Sequence, residues 1–357
     1  MKNSIKALCQ LFSVLILSAG IGASDARCST PEKIITDTIK RHMQERAIPG
    51  VAVGLYYKSD AYFYNFGIAD PFTGLPVTRH TIFEIGSITK SFIATVLAME
   101  VQKKTMHLAD PLEKYLPLAK NSSFALRKLT LKQLATHTSS LPRKPPVRRA
   151  AMSEERVLRH LLYWKPQWPI GSTYHYSNLG FNLIGYVLEH KTGKSYESLM
   201  HDYIIAPLHM NSTMVKVPSR LKGLYAQGYN KRGIPVPRMH DHFLGAAGAL
   251  KSTTSDMMQF LKANLGLVGP KSLINAMKQT QKEIFIVDHR FSQGLSWERK
   301  TEDGITVIDK NGGVTGFSTW IGIVPKKGMG LILLTNKRNS ELAAVGRTIL
   351  HQLSHLK

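Results

Sequence analysis

The sequence predicts an α/β (α+β) fold in which both ends of the chain contribute strands to one antiparallel sheet of about five or more strands. Two β-like runs lie near the N-terminus, three lie near the C-terminus, and a long section of helical patterns separates them. A further helical pattern lies at each end of the chain. We therefore expect the terminal helices to flank one face of the sheet and a large, mostly helical insertion to cover the other.

The N-terminal part predicts a helix, a hairpin and a second helix. Apolar residues recur at helical spacing from Pro31 to Arg46. Two β-like runs follow, Val51 to Tyr57 and Tyr62 to Phe66, and the turn residues Lys58-Ser59-Asp60 join them. From Ser87 to about Gln102 the helical pattern is apolar on most sides, which is typical of a buried helix.

The middle of the chain predicts helices broken by Pro and Gly loops, and the end predicts strands. Helical patterns run from Asn178 to His190 and from Thr254 to Leu265, and an amphipathic pattern from Glu341 to Leu356 predicts a closing helix. The three C-terminal β-like runs are Gly304 to Lys310, Phe317 to Val324 and Gly330 to Thr335.

These patterns divide the chain into a leader and one domain. Residues 1–26 are expected to be a signal peptide, and residues 27–357 a single domain. Its α/β part would comprise residues 30–80 and 285–357, and its mostly helical part residues 81–284. A site at the seam between the two parts would draw residues from distant positions of the sequence.

The first residues have the pattern of a signal peptide. Lys2 and Lys6 precede an apolar run, Ala7 to Ile21, which is short for a membrane span and ends in small residues. We expect cleavage near Ala23 or Ala26, a periplasmic location and no stable membrane anchor. An uncleaved N-terminal anchor is the alternative.

The composition is that of a globular protein with a strong excess of positive charge. Hydrophobic residues make up 43% of the 357 residues, whereas 47 Lys and Arg face 24 Asp and Glu, a formal charge of +23. Such a charge favours anionic partners, but no nucleic-acid-binding signature accompanies it. The one dense basic cluster comprises Arg143, Lys144, Arg148 and Arg149. We therefore expect no nucleic-acid partner and interpret the chain as a basic exported protein that works near an anionic envelope.

The first candidate catalytic element is Ser87-Ile88-Thr89-Lys90. Ser and Lys three residues apart at a helix start lie on one face and can interact. Serine needs a base to act as a nucleophile, and a desolvated lysine near other cations can supply one. The helix N-terminus adds free backbone N–H groups for a developing oxyanion. Two other Ser-x-x-Lys matches begin at Ser219 and Ser354, but they lie in a loop and at the C-terminus.

The second element is Tyr176-Ser177-Asn178, 89 residues after Ser87. A phenol is a weak base, with a pKa of about 10. Two nearby ammonium groups would stabilise the phenolate and bring this pKa into a useful range. The Asn178 amide could hold Lys90 or a substrate amide. The alternative is that Tyr176 only packs and Asn178 caps a helix.

The third element is Lys310-Asn311-Gly312-Gly313, which is 134 residues further along and ends one β-like run. Lys310 would present its charge to a substrate carboxylate and to Tyr176. Asn311, Gly312 and Gly313 complete the predicted substrate-binding residues, because glycines let a substrate backbone approach the strand closely. The similar Lys191-Thr192-Gly193 lies between helical patterns, so we interpret Gly193 as a helix C-cap.

In this order the three elements resemble those of serine β-lactamases and penicillin-binding proteins. The tyrosine form, Tyr176-Ser177-Asn178, is similar to class C β-lactamases and to class-C-like peptidases and esterases. The resemblance extends over roughly residues 32 to 352 and implies a β-lactamase/DD-peptidase-like fold. Further segments that carry it are Phe83-Glu84-Ile85-Gly86-Ser87, Leu134-Ala135-Thr136-His137-Thr138 and Gln293-Gly294-Leu295-Ser296-Trp297-Glu298.

The resemblance implies a mechanism and a partner. Ser87 attacks a carbonyl group, Tyr176 with Lys90 takes its proton, and the backbone N–H groups of Ser87 and Gly313 bind the oxyanion. Water then hydrolyses the acyl-enzyme, and either Tyr176 or Lys90 is the general base. The implied substrate is a small-molecule β-lactam or a peptidoglycan-derived peptide, and we expect a monomer.

Several positions depart from the class C pattern. Asn311 replaces the usual threonine, and Lys144 lies near the place of a glutamine that contacts the substrate amide. Ala246-Ala247-Gly248-Ala249 stands where a tyrosine is usual, and the carboxylate-binding positions match only loosely around Arg338 and Asn339. These departures leave the acylation machinery complete but argue against efficient cephalosporin turnover.

Hydrolysis of a β-lactam amide is the leading hypothesis. Its rival is acyl transfer by a D-alanyl carboxypeptidase, D-aminopeptidase or esterase with the same machinery, and the lifetime of the acyl-enzyme distinguishes the two. A non-catalytic wall-binding protein is disfavoured because no motif position is lost.

Metal, cofactor and thiol chemistry are not indicated. His240-Asp241-His242 is a short cluster among 14 His, without a fuller ligand pattern, and we interpret most of the histidines as surface or capping residues. Cys9 would leave with the signal peptide and Cys28 would remain alone, which excludes an intramolecular disulfide in the mature chain. We therefore expect no metal and no cofactor.

Overall fold

A large antiparallel sheet organises the part of the chain that the computed structural model describes, residues 30–117, 121–144, 153–238, 245–338 and 341–356. The predicted signal peptide, Cys28 and the His240-Asp241-His242 cluster lie outside these residues, as do Arg148, Arg149 and Asn339. The described strands are β1 Gly50–Tyr57, β2 Asp60–Asp70, β3 Leu75–Pro76, β4 Phe83–Glu84, β5 Gly228–Tyr229, β6 Pro235–Val236, β7 Lys251–Ser252, β8 Phe285–Ile286, β9 Phe291–Gln293, β10 Glu298–Glu302, β11 Ile305–Gly313, β12 Ser318–Val324 and β13 Met329–Thr335.

Nine of the described strands form the main sheet, in the order β3-β2-β1-β13-β12-β11-β10-β9-β8. Every neighbouring pair in it is antiparallel, and β1 pairs with β13 from Val51↔Thr335 to Tyr56↔Gly330. The pairing of β1 with β13 joins the two ends of the chain at the middle of the sheet. Two short ladders, β4 with β7 and β5 with β6, lie outside it.

Helices cover both faces of this sheet. The described α-helices are α1 Pro31–Arg46, α2 Thr89–Gln102, α3 Phe124–Arg127, α4 Leu131–Ala135, α5 Glu154–Leu161, α6 Asn178–Thr192, α7 Tyr196–Met200, α8 Thr254–Asn264, α9 Lys271–Thr280 and α10 Leu342–Ser354. The terminal helices α1 and α10 pack on one face, and the helices of the insertion, with α2 and α8 among them, pack on the other.

The burial of the central strands follows from this layering. Successive side chains of a strand point to opposite faces, so Val53 belongs to the core under α1 and α10 while Ala52 belongs to the core of the insertion. Leu333 and Leu334 divide in the same way in β13. Both strands are buried along their whole length, because a sheet covered on both faces needs apolar residues on both.

The structure confirms the predicted fold class and corrects several boundaries. The C-terminal part of the sheet contains β8, β9 and β10 in addition to the three predicted strands. The sequence of β10, Glu298–Glu302, is polar and therefore shows no hydrophobic alternation. Lys310-Asn311-Gly312-Gly313 lies within β11 rather than beyond the end of a strand. Helix α2 begins at Thr89, because residues Gly86–Ile88 form a separate 3₁₀ turn.

Candidate active site

The hydroxyl of Ser87 is presented by the 3₁₀ turn Gly86–Ile88 at the start of the buried helix α2. Gly86 has a φ of 50°, a backbone conformation that glycine adopts without steric cost. A Cβ at this position would lie 2.7 Å from the backbone nitrogen of Gly313. The absence of a side chain at Gly86 therefore lets the end of β11 approach the turn that carries Ser87.

The Lys90 ammonium group is fully buried one helical turn after Ser87. Its Nζ lies 3.1 Å from Ser87 Oγ, 2.8 Å from Asn178 Oδ1 and 2.5 Å from the carbonyl oxygen of Ala247. Burial, and then the charges of Lys310 and Arg143, hold the pKa of Lys90 well below its usual range.

A neutral Lys90 satisfies all three of these contacts. The oxygens of Asn178 and Ala247 can only accept, so they take the two N–H groups of a neutral amine. In the structure Lys90 Nζ is the donor to Ser87 Oγ. In the neutral amine the Ser87 hydroxyl, which can donate as well as accept, would instead donate to the nitrogen lone pair. In this protonation state Lys90 is a base directed at the Ser87 proton.

The Tyr176 hydroxyl lies on the other side of the Ser87 oxygen, to which it donates a hydrogen bond of 2.7 Å. Tyr176 is partly exposed and lines the cleft. Burial raises the pKa of Tyr176, and the hydrogen bond with Ser87 opposes this only in part. The expectation that ammonium groups bring the pKa of Tyr176 down is wrong, because the desolvation of the phenolate is the larger effect.

Ser177 and Asn178 fix the second motif at the start of α6. Ser177 is the N-cap: its Oγ accepts from the Gly180 N–H at 3.1 Å and donates to the Pro142 carbonyl at 2.8 Å. Because Ser177 caps the helix, the Asn178 side chain is available to hold Lys90. The Asn178 N–H also donates to the carbonyl of Arg143 at 3.0 Å. This hydrogen bond ties the loop that contains Leu141, Pro142 and Arg143, here called the Leu-Pro loop, to the second motif.

Lys310 is the second fully buried lysine of the site. Its Nζ has no hydrogen-bond partner among the described residues, and it lies 5.1 Å from the centre of the Tyr176 ring. Burial lowers the pKa of Lys310, although the carboxylates of Glu298 and Asp309 oppose this effect. An ammonium group without a partner is costly to bury, so an anion bound in the cleft would stabilise Lys310.

Gly312 lets strand β11 pack closely against the segment that precedes Ser87. A Cβ on Gly312 would overlap the Ile85 carbonyl oxygen and the Thr319 Oγ1. The Thr319 hydroxyl donates to that same carbonyl at 2.9 Å. Residue 312 must therefore be glycine for β11 to lie in this register against Ile85.

All eight predicted site residues meet around one cleft of about 350 Å³, although Lys90 and Lys310 lie just beneath its surface. Arg143 and Arg338, which the sequence flagged only for a basic cluster and a loose match, face the same cleft. The residues that line it are Ser87, Arg143, Tyr174, Tyr176, Asn178, Ala247, Glu298, Asn311, Gly312, Gly313, Ser318, Thr319, Arg338, Leu342 and Ala343.

Buried His137 supports Tyr176 from behind and is an exception to the interpretation of most histidines as surface or capping residues. Its Nδ1 accepts from the Ser177 N–H at 3.1 Å, and its carbonyl accepts from the His175 N–H at 2.7 Å. The His137 and Tyr176 ring centres are 4.4 Å apart. Burial, with the charges of Lys310 and Lys90, keeps the pKa of His137 well below its usual range, so the ring is neutral. The only sequence signal was the resemblance of the segment around His137.

We expect the His137→Phe variant to lose about 1–3 kcal/mol of unfolding free energy, because it keeps an aromatic ring but leaves the Ser177 N–H unsatisfied. The His137→Asn variant should recover part of this loss, since an amide oxygen can accept that N–H and Asn tolerates the observed φ of 60°. Urea unfolding of both variants measures the difference. Equal midpoints for His137→Phe and the unmodified chain would show that this hydrogen bond contributes nothing.

One further sequence interpretation has an outcome. Gly193 has a φ of 70° and caps the C-terminus of α6, as expected for the rejected Lys191-Thr192-Gly193 match. Within the described ranges, no group of three or more His, Cys, Asp or Glu could hold a metal ion. No helix in the same ranges is long and apolar enough to cross a membrane.

A partly exposed serine flanked by a buried lysine and a tyrosine, in a cleft lined by cations, defines a serine acyl-transfer hydrolase. The beta-lactamase family model matches residues 35–354, and the chain belongs to this family. A beta-lactamase of Psychrobacter immobilis is 30% identical, and the alignment covers 96% of this chain and 93% of the relative. A beta-lactamase of Pseudomonas fluorescens is 28% identical, with coverages of 89% and 97%.

Solved structures agree with the sequence relatives. A class C beta-lactamase from Rhodobacter sphaeroides superposes with a TM-score of 0.82 at 26% identity, covering 90% of this chain and 99% of that one. A D-alanine carboxypeptidase AmpC from Burkholderia cenocepacia superposes with a TM-score of 0.81 at 27% identity and the same coverages. The resemblance to class C and the prediction of a serine hydrolase of the beta-lactamase type are therefore confirmed.

Proposed function

We propose that this chain hydrolyses β-lactam amides through an acyl-enzyme on Ser87. The observation that carries the proposal is the position of Ser87 Oγ, within hydrogen-bond distance of both the Tyr176 hydroxyl and Lys90 Nζ. Unpartnered Lys310 beside them suits the carboxylate that β-lactams carry. The similarity to beta-lactamases along nearly the whole chain supports the same substrate class.

The acylation step uses the hydrogen bonds that Ser87 forms with Lys90 and Tyr176. Ser87 Oγ attacks the carbonyl carbon while its proton moves to the neutral amine of Lys90, so the new C–O bond forms without a free alkoxide. The C–N bond then breaks, and Tyr176, whose hydroxyl touches the same oxygen, donates a proton to the leaving nitrogen. Lys90 reprotonates Tyr176, so in the net step the serine proton reaches the leaving nitrogen.

The oxyanion would be held by the backbone N–H groups of Ser87 and Gly313. The close approach of Gly313 N to Gly86 supports this pairing. Lys310 would bind the substrate carboxylate, and Asn311 at the mouth of the cleft would supply hydrogen bonds in place of the usual threonine. Water then attacks the ester carbonyl and gives one proton, through Tyr176, to the neutral amine of Lys90. The C–O bond to Ser87 breaks, and this proton passes back to Ser87 Oγ, which restores the starting state.

A second candidate is D-alanyl carboxypeptidase, D-aminopeptidase or esterase activity on a peptidoglycan-derived peptide or an ester. The observation that favours it is Ala247 lining the cleft, in the segment where class C enzymes usually carry a tyrosine. The structural relative named as a D-alanine carboxypeptidase is as similar as those named beta-lactamases. In both candidates Ser87 is acylated, and the difference is how fast water removes the acyl group.

The experiment is time-resolved turnover of a chromogenic cephalosporin, with mass spectrometry of the protein and Ser87→Ala as the control. Rapid multiple turnover that the control lacks supports the β-lactamase. One stoichiometric burst with a stable adduct on Ser87 supports the peptidase or esterase. No turnover and no adduct would contradict both and favour a non-catalytic wall-binding protein. Unchanged activity in a chelator is expected, because we propose neither metal nor cofactor.

We further propose a periplasmic monomer whose residues 1–26 are a signal peptide and whose residues 27–357 form a single domain. The proposal rests on the charged and apolar pattern of the first residues, and such a location would suit a role in antibiotic resistance. N-terminal sequencing of the protein from a periplasmic extract, and its mass in solution by light scattering, test the cleavage site and the oligomeric state.

A further inference from the structure

The basic side chains at the cleft outnumber the acidic side chains that could neutralise them. Two arginines line it, and the buried ammonium group of Lys310 lies beneath it, whereas Lys90, as the neutral base, adds no charge. Among the described lining residues the one acid is Glu298. Glu298 is itself contacted by Arg347 Nη2 at 3.4 Å, on the side of α10. The net charge that a bound substrate meets is therefore strongly positive.

Arg338 lies directly against the strand that would bind the substrate. A Cβ on Gly313 would overlap its guanidinium, so this group occupies the space that a side chain at residue 313 would fill. The Arg338 backbone N–H donates to the Tyr229 carbonyl at 2.8 Å, which anchors the residue after β13. No carboxylate of the described residues forms an ion pair with its half-buried side chain.

Arg143 faces the same cleft from the loop after α4. Its guanidinium carbon lies 5.5 Å from the centre of the Tyr176 ring, and its carbonyl is held by the Asn178 N–H. This side chain also lacks an ion pair within the described part of the chain. Burial lowers the pKa of Arg338, and the charge of Arg143 lowers it further, so the two guanidinium groups repel each other across the cleft.

We propose that Arg143 and Arg338 form an anion site beside Ser87 that accepts a second carboxylate of the substrate, separate from the one that Lys310 takes. A carboxylate between two guanidinium groups removes their repulsion and gains charge-assisted hydrogen bonds. The preferred acyl donors are therefore dianions. This inference rests on the proposed acyl transfer to Ser87 and specifies its substrate class.

The test compares two penicillins that are identical except for an α-carboxylate on the acyl side chain. For each variant we compare kcat/KM for the dianionic penicillin with kcat/KM for the monoanionic one. Their ratio is the measured quantity, because any effect of a substitution on the reactivity of Ser87 changes both values equally and cancels. Arg143→Gln and Arg338→Gln should each lower this ratio about tenfold, the loss of one charged hydrogen-bonding partner. The control is Lys165→Gln, which removes one positive charge at an exposed residue that does not line the cleft.

The double variant adds a second criterion. If both arginines hold one carboxylate, the Arg143→Gln/Arg338→Gln ratio should fall by less than the product of the single effects. Equal ratios in Arg143→Gln and Lys165→Gln would overturn the proposal, because net charge alone would then account for the preference. Failure of the acyl-transfer proposal looks different: neither penicillin would then acylate Ser87 in the unmodified chain. When the slow step is deacylation, the acylation rate constant replaces kcat/KM in the ratio.

Discussion

Replacing Lys90 by methionine is expected to slow the acylation of Ser87 by about a thousandfold, within the range that a positioned general base contributes. Methionine keeps an unbranched apolar side chain in the space of the buried lysine, so the core around α2 stays filled. What it removes is the nitrogen lone pair that faces the Ser87 hydroxyl and the hydrogen bonds to Asn178 Oδ1 and the Ala247 carbonyl. Stopped-flow acylation by a chromogenic cephalosporin measures the loss.

Lys310→Met is the matched control. Lys310 is as buried as Lys90 beneath the same cleft, but its Nζ forms no hydrogen bond with Ser87. Loss of its ammonium group should weaken the binding of a carboxylate-bearing substrate by tenfold or more, roughly one charged hydrogen bond. The two variants therefore separate proton transfer from anion binding. Similar effects of both on the saturating acylation rate would contradict the assignment of Lys90 as the base.

The pH dependence gives an independent check on the same assignment. Lys90 is a base only as the free amine, and its pKa is lowered by burial and by neighbouring cations. The acylation rate should therefore be high above this lowered pKa and should fall as the pH decreases through it. In Lys90→Met this acid limb should disappear from the residual rate. If the limb stays unchanged, another group titrates there.

The catalytic motifs could be found from the sequence because each is a short local pattern in a recognisable structural context. Ser87 and Lys90 are one helical turn apart, and Tyr176 with Asn178 begins another helix, so local spacing already places each pair. The two pairs come together at Ser87 only through the whole fold. This contact was predicted from the resemblance to a known family and not from local spacing. The central strands β1, β12 and β13 were predicted because their residues are apolar on both faces.

What the sequence left open depends on packing between distant segments. Strand β10 is polar, so hydrophobic periodicity could not reveal it. The pKa of Tyr176 follows from how far water is excluded, and counting nearby cations gave the wrong sign. Arg143 and Arg338 show no local pattern, and their sharing of one cleft emerges only when the Leu-Pro loop and the end of β13 come together.

The glycine at position 312 gives the second large expected effect. Gly312→Ala should reduce acylation about a hundredfold or more, the typical cost of losing an oxyanion donor, and destabilise the fold by about 1–3 kcal/mol through overpacking. The new methyl group would overlap the Ile85 carbonyl and the Thr319 hydroxyl, which hold each other by a hydrogen bond of 2.9 Å. Because Ile85 is two residues before Ser87, relief of the overlap moves β11, and with it the Gly313 N–H, away from the nucleophile.

Gly223→Ala is the matched control, since a Cβ there meets nothing within 4 Å and the backbone is not in the left-handed region. Urea unfolding and stopped-flow acylation of both variants should show a loss for Gly312→Ala alone. A variant that loses stability but acylates Ser87 normally would mean that β11 can shift without moving the Gly313 N–H, and the oxyanion site would have to be assigned elsewhere. Loss of acylation with a nearly unchanged midpoint would instead locate the effect in the oxyanion geometry itself, because a displaced donor affects the transition state far more than the folded state.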